Sequence, residues 1–206
     1  MPTSAKTFDK EVEKLLRKYI SKGMTRFLDI GAGSGKYGKM LNSFRDWNYT
    51  DFHMDAVEFD EEYRREYHLH TIYNYVYSDS IESFVNIYPT YCANVVIFGD
   101  ILEHLPKSVG VDILEHFICR SNFIIVVVPL LVVQLDKDHI QECHNSIWQE
   151  VDFLKYGARV IYKNHKILVT MPGFFNYPDA IISKSSYEIM KEQRCTRFRG
   201  TIMDKG

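Results

Sequence analysis

The sequence predicts an α/β fold in which a mostly parallel sheet of seven strands has helices on both faces and is closed by an antiparallel hairpin. Strand-like and helix-like segments alternate between residues 26 and 128, which is typical of parallel strands joined by crossover helices. The segments 93–98 and 123–128 are almost entirely apolar, as expected of strands that are covered on both faces. Two β-type runs at 159–162 and 167–171, separated by polar residues, predict the hairpin.

The other elements follow from hydrophobic periodicity and from turn residues. Phe8, Val12 and Leu16 share one face at helical spacing, so residues 7–21 are predicted to form an amphipathic helix that Gly23 ends. The remaining predictions are strands at 26–30, 53–59 and 71–77, helices at 36–44, 61–67 and 108–118, and a helix after the third strand that Asp79 or Ser80 caps.

The last part of the chain carries one more helix signal. Ser146 and Gln149 have the spacing of a capping box, which predicts a helix at 147–156 that ends at Gly157. Pro129 stops the fifth strand because proline cannot donate to the strand ladder, and we expect a loop between it and this helix. Residues 173–206 are only weakly patterned, and we assign no element to them.

Length and charge predict a single domain over residues 1–206 that acts on a small molecule. A chain of 206 residues is long enough to bury one core. Its 25 basic and 27 acidic side chains give a net charge of −2, so the basic excess typical of nucleic-acid binding is absent. The tyrosines between residues 63 and 77 are explained by packing rather than by base stacking.

The cysteines and the apolar runs favour a cytoplasmic location. The four cysteines are far apart and include no CxxC pair, which is typical of a reducing compartment. The first ten residues lack the apolar core of a signal peptide. The most hydrophobic run, 123–133, is interrupted by Pro129 and is well short of the roughly 20 residues that span a bilayer. No membrane partner is expected, and the oligomeric state is not predicted.

A turn rich in glycine links the first strand to the helix after it. Gly31, Gly33 and Gly35 let the backbone turn sharply and come close to a bound molecule. A phosphate loop does not match, because Gly31 and Gly35 are too close together and Lys36 is not followed by Ser or Thr. The dinucleotide spacing GxGxxG matches only from Gly33 through Gly35 to Gly38, two residues late, which leaves an NAD-dependent oxidoreductase as an alternative.

Asp29, directly before the first glycine, distinguishes between these ligands. The run LDIGAGSG at 28–35 resembles motif I of the class I S-adenosylmethionine-dependent methyltransferases, which is an apolar pair, Asp, an apolar residue and GxGxG. The resemblance covers about residues 26–128 and implies a Rossmann-like methyltransferase fold, with S-adenosyl-L-methionine as methyl donor and S-adenosyl-L-homocysteine as product. It implies that the methionine portion is bound by Asp29, Gly31, Ala32, Gly33 and Gly35.

Three later segments match the same family at the ends of the following strands. DILEHLP at 100–106 resembles the "D, two apolar, E, H, apolar, P" signature of the small-molecule branch. The resemblance says little about the acceptor side, which we expect in the loop, helix and hairpin at 129–172. The further cofactor contacts that the resemblance implies are Glu58 and Phe59, with Glu58 at the ribose, Asp79 and Ser80 at the adenine, and Asp100 and Ile101 near the transferred methyl group.

Three side chains are candidates for a general base: Glu103, His104 and His144. Histidine has a pKa suited to proton transfer near neutrality, and Glu103 and His104 follow the fourth strand, where open α/β sheets bind ligands. The alternatives are that the Glu-His pair shapes the cofactor loop, that His144 is an ordinary flank of a helix, and that Trp148 is a core residue. His139 and His144 have no third ligand near them in sequence, so no metal site is predicted.

The resemblance therefore implies an enzyme that transfers a methyl group from S-adenosyl-L-methionine to oxygen or nitrogen of a small polar metabolite, such as a sugar derivative. Its main task would be to align the acceptor atom with the methyl group. Because no residue is unmistakably a base, a non-catalytic binding module with the same fold is a second hypothesis.

Overall fold

A seven-stranded sheet organises the protein, and the computed structural model describes residues 6–44, 52–130 and 143–175. The strands are β1 (Arg26–Ile30), β2 (His53–Val57), β3 (Tyr75–Tyr77), β4 (Ala93–Gly99), β5 (Ser121–Pro129), β6 (Arg159–Lys163) and β7 (Lys166–Pro172). Their order is β3-β2-β1-β4-β5-β7-β6, and β7 runs antiparallel to both of its neighbours while the other pairs are parallel. The predicted fold class is confirmed.

Helices connect most of these strands. They are α1 (Asp9–Ile20), α2 (Lys36–Asn42), α3 (Glu61–Glu66), α4 (Ile81–Ile87), α5 (Lys107–Ile118) and α6 (Glu150–Leu154), with 3-10 turns at Lys6–Phe8, Leu69–Thr71 and Leu102–His104. In the part of the chain that the structure describes, no helix is both long and apolar enough to cross a membrane. The predicted loop falls largely on residues 131–142 and the tail largely on 176–206, outside the described residues.

The hydrophobic core lies in two layers, one on each face of the sheet. Val95 and Ile97 of β4 belong to the layer that includes α1 and α2, whereas Val96 and Phe98 belong to the layer that includes α4 and α5. All four side chains have 0% of their surface exposed. Successive side chains of a strand point to opposite faces, so this apolar run covers both layers, as its composition predicts.

The third strand is shorter than predicted. Residues 71–77 have the β-branched and aromatic residues of a strand, but only Tyr75–Tyr77 pairs with β2. Before it, the 3-10 turn Leu69–Thr71 brings Tyr73 into the core, where it is 4% exposed. Tertiary packing of this aromatic side chain therefore overrides local strand propensity.

The helix predicted at 147–156 is the shorter α6, and its N-terminal cap differs from the prediction. The Gln149 N–H donates to the Asp152 carboxylate at 2.8 Å, so Gln149 and Asp152 form the cap. The Ser146 hydroxyl instead donates to the Leu102 carbonyl at 3.0 Å. The helix ends at Leu154, two residues before the predicted end, and Gly157 closes the following turn with φ of 71° and an N–H that donates to the carbonyl of Leu154.

The predicted hairpin is confirmed as β6 and β7. Asn164 and His165 connect the two strands with φ of 48° and 58°. Two successive residues with positive φ are typical of the tight turn that matches the twist of paired strands. The hairpin places Lys166, the first residue of β7, opposite Pro129 at the end of β5.

Candidate functional site

A cavity of about 290 Å³ opens at the carboxyl ends of the parallel strands. It is lined by residues at or after the ends of β1, β2, β3 and β4, namely Ile30, Gly31, Gly33, Val57, Glu58, Phe59, Asp60, Tyr63, Asp79, Ser80, Ile81, Glu82, Asp100, Ile101, His104 and Leu105. Pockets for small ligands begin at roughly 300 Å³ and favour this edge of open α/β sheets. Four segments that the sequence singled out thus meet around one cavity.

The glycine turn forms one wall of this cavity. Gly31 has φ of 69°, and a Cβ there would lie 2.8 Å from the Ile101 side chain, so only glycine lets the two loops approach each other. The Gly31 N–H donates to the Val57 carbonyl at 2.9 Å, which joins the turn to the end of β2. Gly33 lines the cavity and has φ of 48°. The turn presents backbone rather than side chains to the cavity at these two positions.

Glu58 lies between the glycine turn and the segment after β2. Its carboxylate accepts hydrogen bonds from the Gly33 N–H at 2.7 Å and from the Asp60 N–H at 3.0 Å. Burial raises the pKa of the carboxyl, since it is 5% exposed, and the two backbone donors oppose this shift. Each carboxylate oxygen has a second lone pair, so Glu58 can also accept hydrogen bonds from a ligand in the cavity.

Asp29 lies behind the glycine turn rather than in the wall of the cavity. It is 1% exposed, and its Oδ2 accepts a hydrogen bond from the Tyr73 hydroxyl at 2.5 Å. Burial raises the pKa of Asp29 to about 7, although the Tyr73 bond acts in the opposite direction. Ala32 and Gly35 also do not line the cavity, and a Cβ on Gly35 would lie 2.7 Å from the Ile72 side chain. These residues shape the turn from behind.

The third glycine of the dinucleotide pattern has a packing explanation. A Cβ on Gly38 would lie 2.5 Å from Ile72 and 2.7 Å from the Tyr73 ring. The Gly38 N–H donates to the Tyr73 hydroxyl at 3.3 Å. Gly38 therefore makes room for the tyrosine that bonds Asp29, and it does not line the cavity.

The segments after β2 and β3 form another wall of the cavity. Phe59 is 53% exposed although it is a large aromatic side chain, so its ring is open to a ligand at this wall. Asp79 is half-buried and lines the cavity beside Ser80. Of the two predicted caps for α4, the structure uses Ser80, whose hydroxyl accepts from the Ser83 N–H at 3.2 Å. The Asp79 carboxylate is therefore not the helix cap, and Asp79 lines the cavity.

Asp100 begins the segment after β4 in a backbone conformation that is uncommon for residues other than glycine. Its φ is 56°, and its N–H donates to the Val127 carbonyl at 2.8 Å. Its Oδ1 lies 2.6 Å from Nζ of Lys166, and both side chains are less than 20% exposed. Lys166, like Tyr73, was missed in the sequence, because neither lies within a motif and each acts across a long chain separation.

The three candidate bases are brought together in the structure. One ligand-type atom from each of Glu103, His104 and His144 lies within 4.8 Å of the others, and the two imidazole rings are 5.1 Å apart. His104 lines the cavity, whereas Glu103 is 2% exposed and lies deeper. Residues 40 positions apart in the chain thus form one cluster at the edge of the cavity.

Trp148 holds the segment of His144 in place. Trp148 is 1% exposed and its indole N–H lies 3.1 Å from the Leu102 carbonyl and 2.8 Å from the Ser146 hydroxyl oxygen. A Cβ on Gly110 of α5 would lie 2.6 Å from the indole ring, so the glycine makes room for it. The alternative interpretation of Trp148 as a core residue is therefore correct.

Comparison with known proteins identifies the fold. No protein-family model matches the sequence, and no curated protein matches it. The N-terminal domain of EvdMO1 with SAH bound is similar at a TM-score of 0.59 and 14% identity, covering 79% of this chain and 80% of that one. Magnesium protoporphyrin IX methyltransferase (ChlM) from Synechocystis PCC 6803, also with bound SAH, has a TM-score of 0.55 and 11% identity, covering 80% and 82%.

A third solved structure, the PH0226 protein from Pyrococcus horikoshii OT3, is similar at a TM-score of 0.55 and 16% identity, covering 80% of this chain and 89% of that one. Each of the three comparisons covers about four fifths of this chain. The chain therefore has the class I S-adenosylmethionine-dependent methyltransferase fold.

Proposed function

We propose that this protein transfers a methyl group from S-adenosyl-L-methionine to oxygen or nitrogen of a small polar acceptor. The observation that carries the proposal is the cavity at the carboxyl edge of the sheet, where the backbone of Gly31 and Gly33 and the carboxylates of Glu58 and Asp79 face one space. The fold supports it, because two similar structures contain SAH in a protein of the same architecture.

The residues present match the chemistry of this cofactor. Glu58 would accept hydrogen bonds from the ribose hydroxyls, and the exposed ring of Phe59 would stack against the adenine, with Asp79 near its amino group. The glycine turn would hold the methionine portion, with Asp29 stabilising the turn from behind. S-adenosyl-L-methionine, when bound, supplies an activated methyl group, and S-adenosyl-L-homocysteine is the product.

The end of the cavity near Asp100, Ile101 and His104 would receive the acceptor. Transfer requires the acceptor atom to be aligned and unprotonated, and His104 borders the cavity with His144 directly beside it. His104 Nδ1 lies 3.2 Å from the carbonyl of Cys143, which can only accept, so in the neutral ring the proton is on Nδ1 and Nε2 is the basic nitrogen.

A sugar derivative is the acceptor class that we propose. The segment from His144 to Trp148 places polar groups next to His104, and a hydroxylated ligand needs such partners. A structure of the N-terminal domain of EvdMO1 was determined in the presence of SAH and D-fucose, at a TM-score of 0.60 and 14% identity to this chain. A cytoplasmic location belongs to the same proposal and is supported by Cys92, Cys119 and Cys143, which form no disulfide within the described residues.

Two other functions are distinguished from methyl transfer by the binding and activity measurements described below. A non-catalytic binding module would bind S-adenosyl-L-homocysteine without turnover. An NAD-dependent oxidoreductase would bind NAD instead, although the structure explains Gly38 by its packing against Tyr73. Nucleic acid remains an unfavoured partner on the basis of the net charge of −2.

Calorimetry with S-adenosyl-L-homocysteine tests the cofactor assignment. We expect micromolar binding by the parent protein and at least tenfold weaker binding by Glu58→Ala and Glu58→Gln. Glu62→Ala is the matched control, because Glu62 is an exposed carboxylate nearby that does not line the cavity. Absence of binding by a folded sample, or unchanged affinity in both Glu58 variants, would overturn the assignment, and preferential binding of NAD would favour the oxidoreductase.

A screen of sugar nucleotides and small amines with labelled S-adenosyl-L-methionine tests the activity itself. We expect a methylated product with at least one hydroxylated acceptor. A protein that binds S-adenosyl-L-homocysteine but methylates no compound in the screen would be assigned to the non-catalytic hypothesis.

A further inference from the structure

Three potential metal ligands from two distant segments meet at the acceptor end of the cavity. Glu103 and His104 lie in the 3-10 turn after β4, and His144 lies before α6. One ligand-type atom from each lies within 4.8 Å of the others. Atoms bound to one first-row metal ion at about 2.1 Å are roughly 3–4.2 Å apart, so a small rotation of the side chains brings all three to one ion. We propose that Glu103, His104 and His144 bind a divalent transition-metal ion.

The two segments are fixed to each other by hydrogen bonds between their backbones. The Glu103 carbonyl accepts from the N–H groups of Asn145 at 2.7 Å and Ser146 at 3.0 Å. The Asn145 side chain donates to the His104 carbonyl at 2.8 Å. These bonds join Glu103 and His104 to the two residues that follow His144, so His144 is positioned beside the other two before any ligand binds. Such preorganisation is what a metal site built from distant residues requires.

The orientation of His104 is that of a metal ligand. Its Nδ1 lies 3.2 Å from the Cys143 carbonyl, a group that can only accept a hydrogen bond. In the neutral ring the proton is therefore on Nδ1 and the lone pair is on Nε2, which is the tautomer that binds a metal ion through Nε2. Histidines that bind metals usually donate their other ring N–H to a carbonyl or carboxylate in this way.

The donor set indicates the kind of ion. Two imidazoles and one carboxylate are typical ligands of Zn²⁺, Co²⁺, Mn²⁺ and Fe²⁺, whereas Mg²⁺ and Ca²⁺ prefer sites made of oxygen atoms. Three protein ligands leave coordination positions for exogenous oxygen atoms. A first-row transition ion with open positions is therefore the class that we assign to this cluster.

The place of the cluster gives the ion a role, which rests on the proposed function. His104 lines the cavity together with Asp100 and Ile101, so open positions of an ion bound to it can reach the acceptor. A hydroxyl bound to a divalent ion has a lowered pKa and releases its proton to solvent more readily. The ion would thus orient a hydroxylated acceptor and would take the place of a side-chain base, because Nε2 of His104 and the His144 ring would then bind the ion.

The sequence-based expectation of no metal site considered only His139 and His144, which are close in sequence. His139 lies outside the described residues, and the ligands that accompany His144 come from 40 positions earlier in the chain.

A purely structural role is the competing explanation for the cluster, in which the imidazoles of His104 and His144 pack edge to face, 5.1 Å apart, without an ion.

Titration of the metal-stripped full chain with Co²⁺ and Zn²⁺ separates these explanations. We expect one ion per chain, with a visible Co²⁺ absorption band that Zn²⁺ removes, and at least tenfold weaker binding in His144→Ala and in Glu103→Gln. His70→Ala is the control, because His68 and His70 form an exposed pair with rings 6.1 Å apart that is the obvious place for adventitious binding. Binding lost in His70→Ala but retained in the two cluster variants would overturn the proposal, as would absence of binding by the parent.

Calorimetry with S-adenosyl-L-homocysteine on the same samples keeps the two proposals distinguishable. We expect folded His144→Ala and Glu103→Gln to bind this compound as the parent does, because neither side chain belongs to the cofactor end of the cavity. Compound binding without metal binding by the parent contradicts the metal site alone. Metal binding without compound binding contradicts the proposed methyl donor and leaves the metal site standing.

Discussion

The Tyr73 hydroxyl donates a 2.5 Å hydrogen bond to Oδ2 of Asp29, which lies 44 positions earlier in the chain. Both residues are almost fully buried, and burial raises the pKa of Asp29 to about 7. Asp29 directly precedes Ile30 and the glycine turn, so a carboxyl that supports the candidate cofactor site changes its protonation near neutral pH. The Tyr73 bond favours the charged form and opposes the effect of burial.

The raised pKa of Asp29 predicts a pH-dependent stability. Between about pH 4 and pH 7 the folded protein keeps a proton that the unfolded chain has released, so the contribution of Asp29 to the free energy of unfolding falls as pH rises through this window. At 1.36 kcal/mol per pKa unit, the loss is at most about 4 kcal/mol. Urea denaturation from pH 4 to pH 8 should show Asp29→Asn gaining stability relative to the parent as pH rises.

Tyr73→Phe tests the cause of this effect. Removing the hydroxyl should raise the pKa of Asp29 further, which moves the upper end of the window above pH 7. Tyr91→Phe is the matched control, because it removes a 2.6 Å hydrogen bond to another buried carboxylate, Asp55. A stability difference between the Asp29→Asn variant and the parent protein that does not vary with pH would show that Asp29 is charged throughout.

The motifs of the sequence predicted the wall of the cavity, because each motif is local. Gly31, Gly33, Glu58, Asp79 and Asp100 lie at strand ends, and parallel strands bring their carboxyl ends to one edge of a sheet. A motif does not contain the partners that come from elsewhere in the chain. Whether a motif residue faces the cavity or the core is set by those partners.

The residues that were missed are defined by tertiary contacts. Tyr73 sits in a segment with strand propensity, and its position in the core depends on the space beside Gly38. Ser146 matches a helix cap in sequence. In the structure it lies beside the buried Trp148, and its hydroxyl donates to the Leu102 carbonyl instead of capping the helix. The local pattern predicts Ser146 as the cap, whereas long-range packing leaves that role to Gln149 and Asp152.

The ion pair between Lys166 and Asp100 predicts a larger loss of stability than an exposed pair. Both side chains are less than 20% exposed and their atoms are 2.6 Å apart. Lys166→Met removes the cation beside a partly buried carboxylate, which should lower the free energy of unfolding by about 2 kcal/mol. Thermal and urea denaturation of the parent and of Lys166→Met at pH 7 would measure this difference in the free energy of unfolding.

Lys163→Met is the matched control on the other side of the same turn. Its partner is Glu11, and the two side chains are 44% and 32% exposed, so we expect a loss below about 1 kcal/mol. Equal losses for Lys163→Met and Lys166→Met would show that the pair at Asp100 is screened as strongly as one on the surface.

The hydrogen bonds of Trp148 predict that it controls the segment carrying His144. Trp148→Phe keeps an aromatic ring but removes the indole N–H that lies near the Leu102 carbonyl and the Ser146 hydroxyl, which should cost about 1–3 kcal/mol. In the same segment, the N–H groups of Asn145 and Ser146 donate to the Glu103 carbonyl, so these amides should exchange with solvent faster in the variant. Tyr162→Phe, at an exposed position that also loses a hydrogen bond, should change stability by less than about 0.5 kcal/mol and leave those amides unaffected. Unchanged exchange in Trp148→Phe would mean that the backbone bonds to Glu103 hold the segment without the indole.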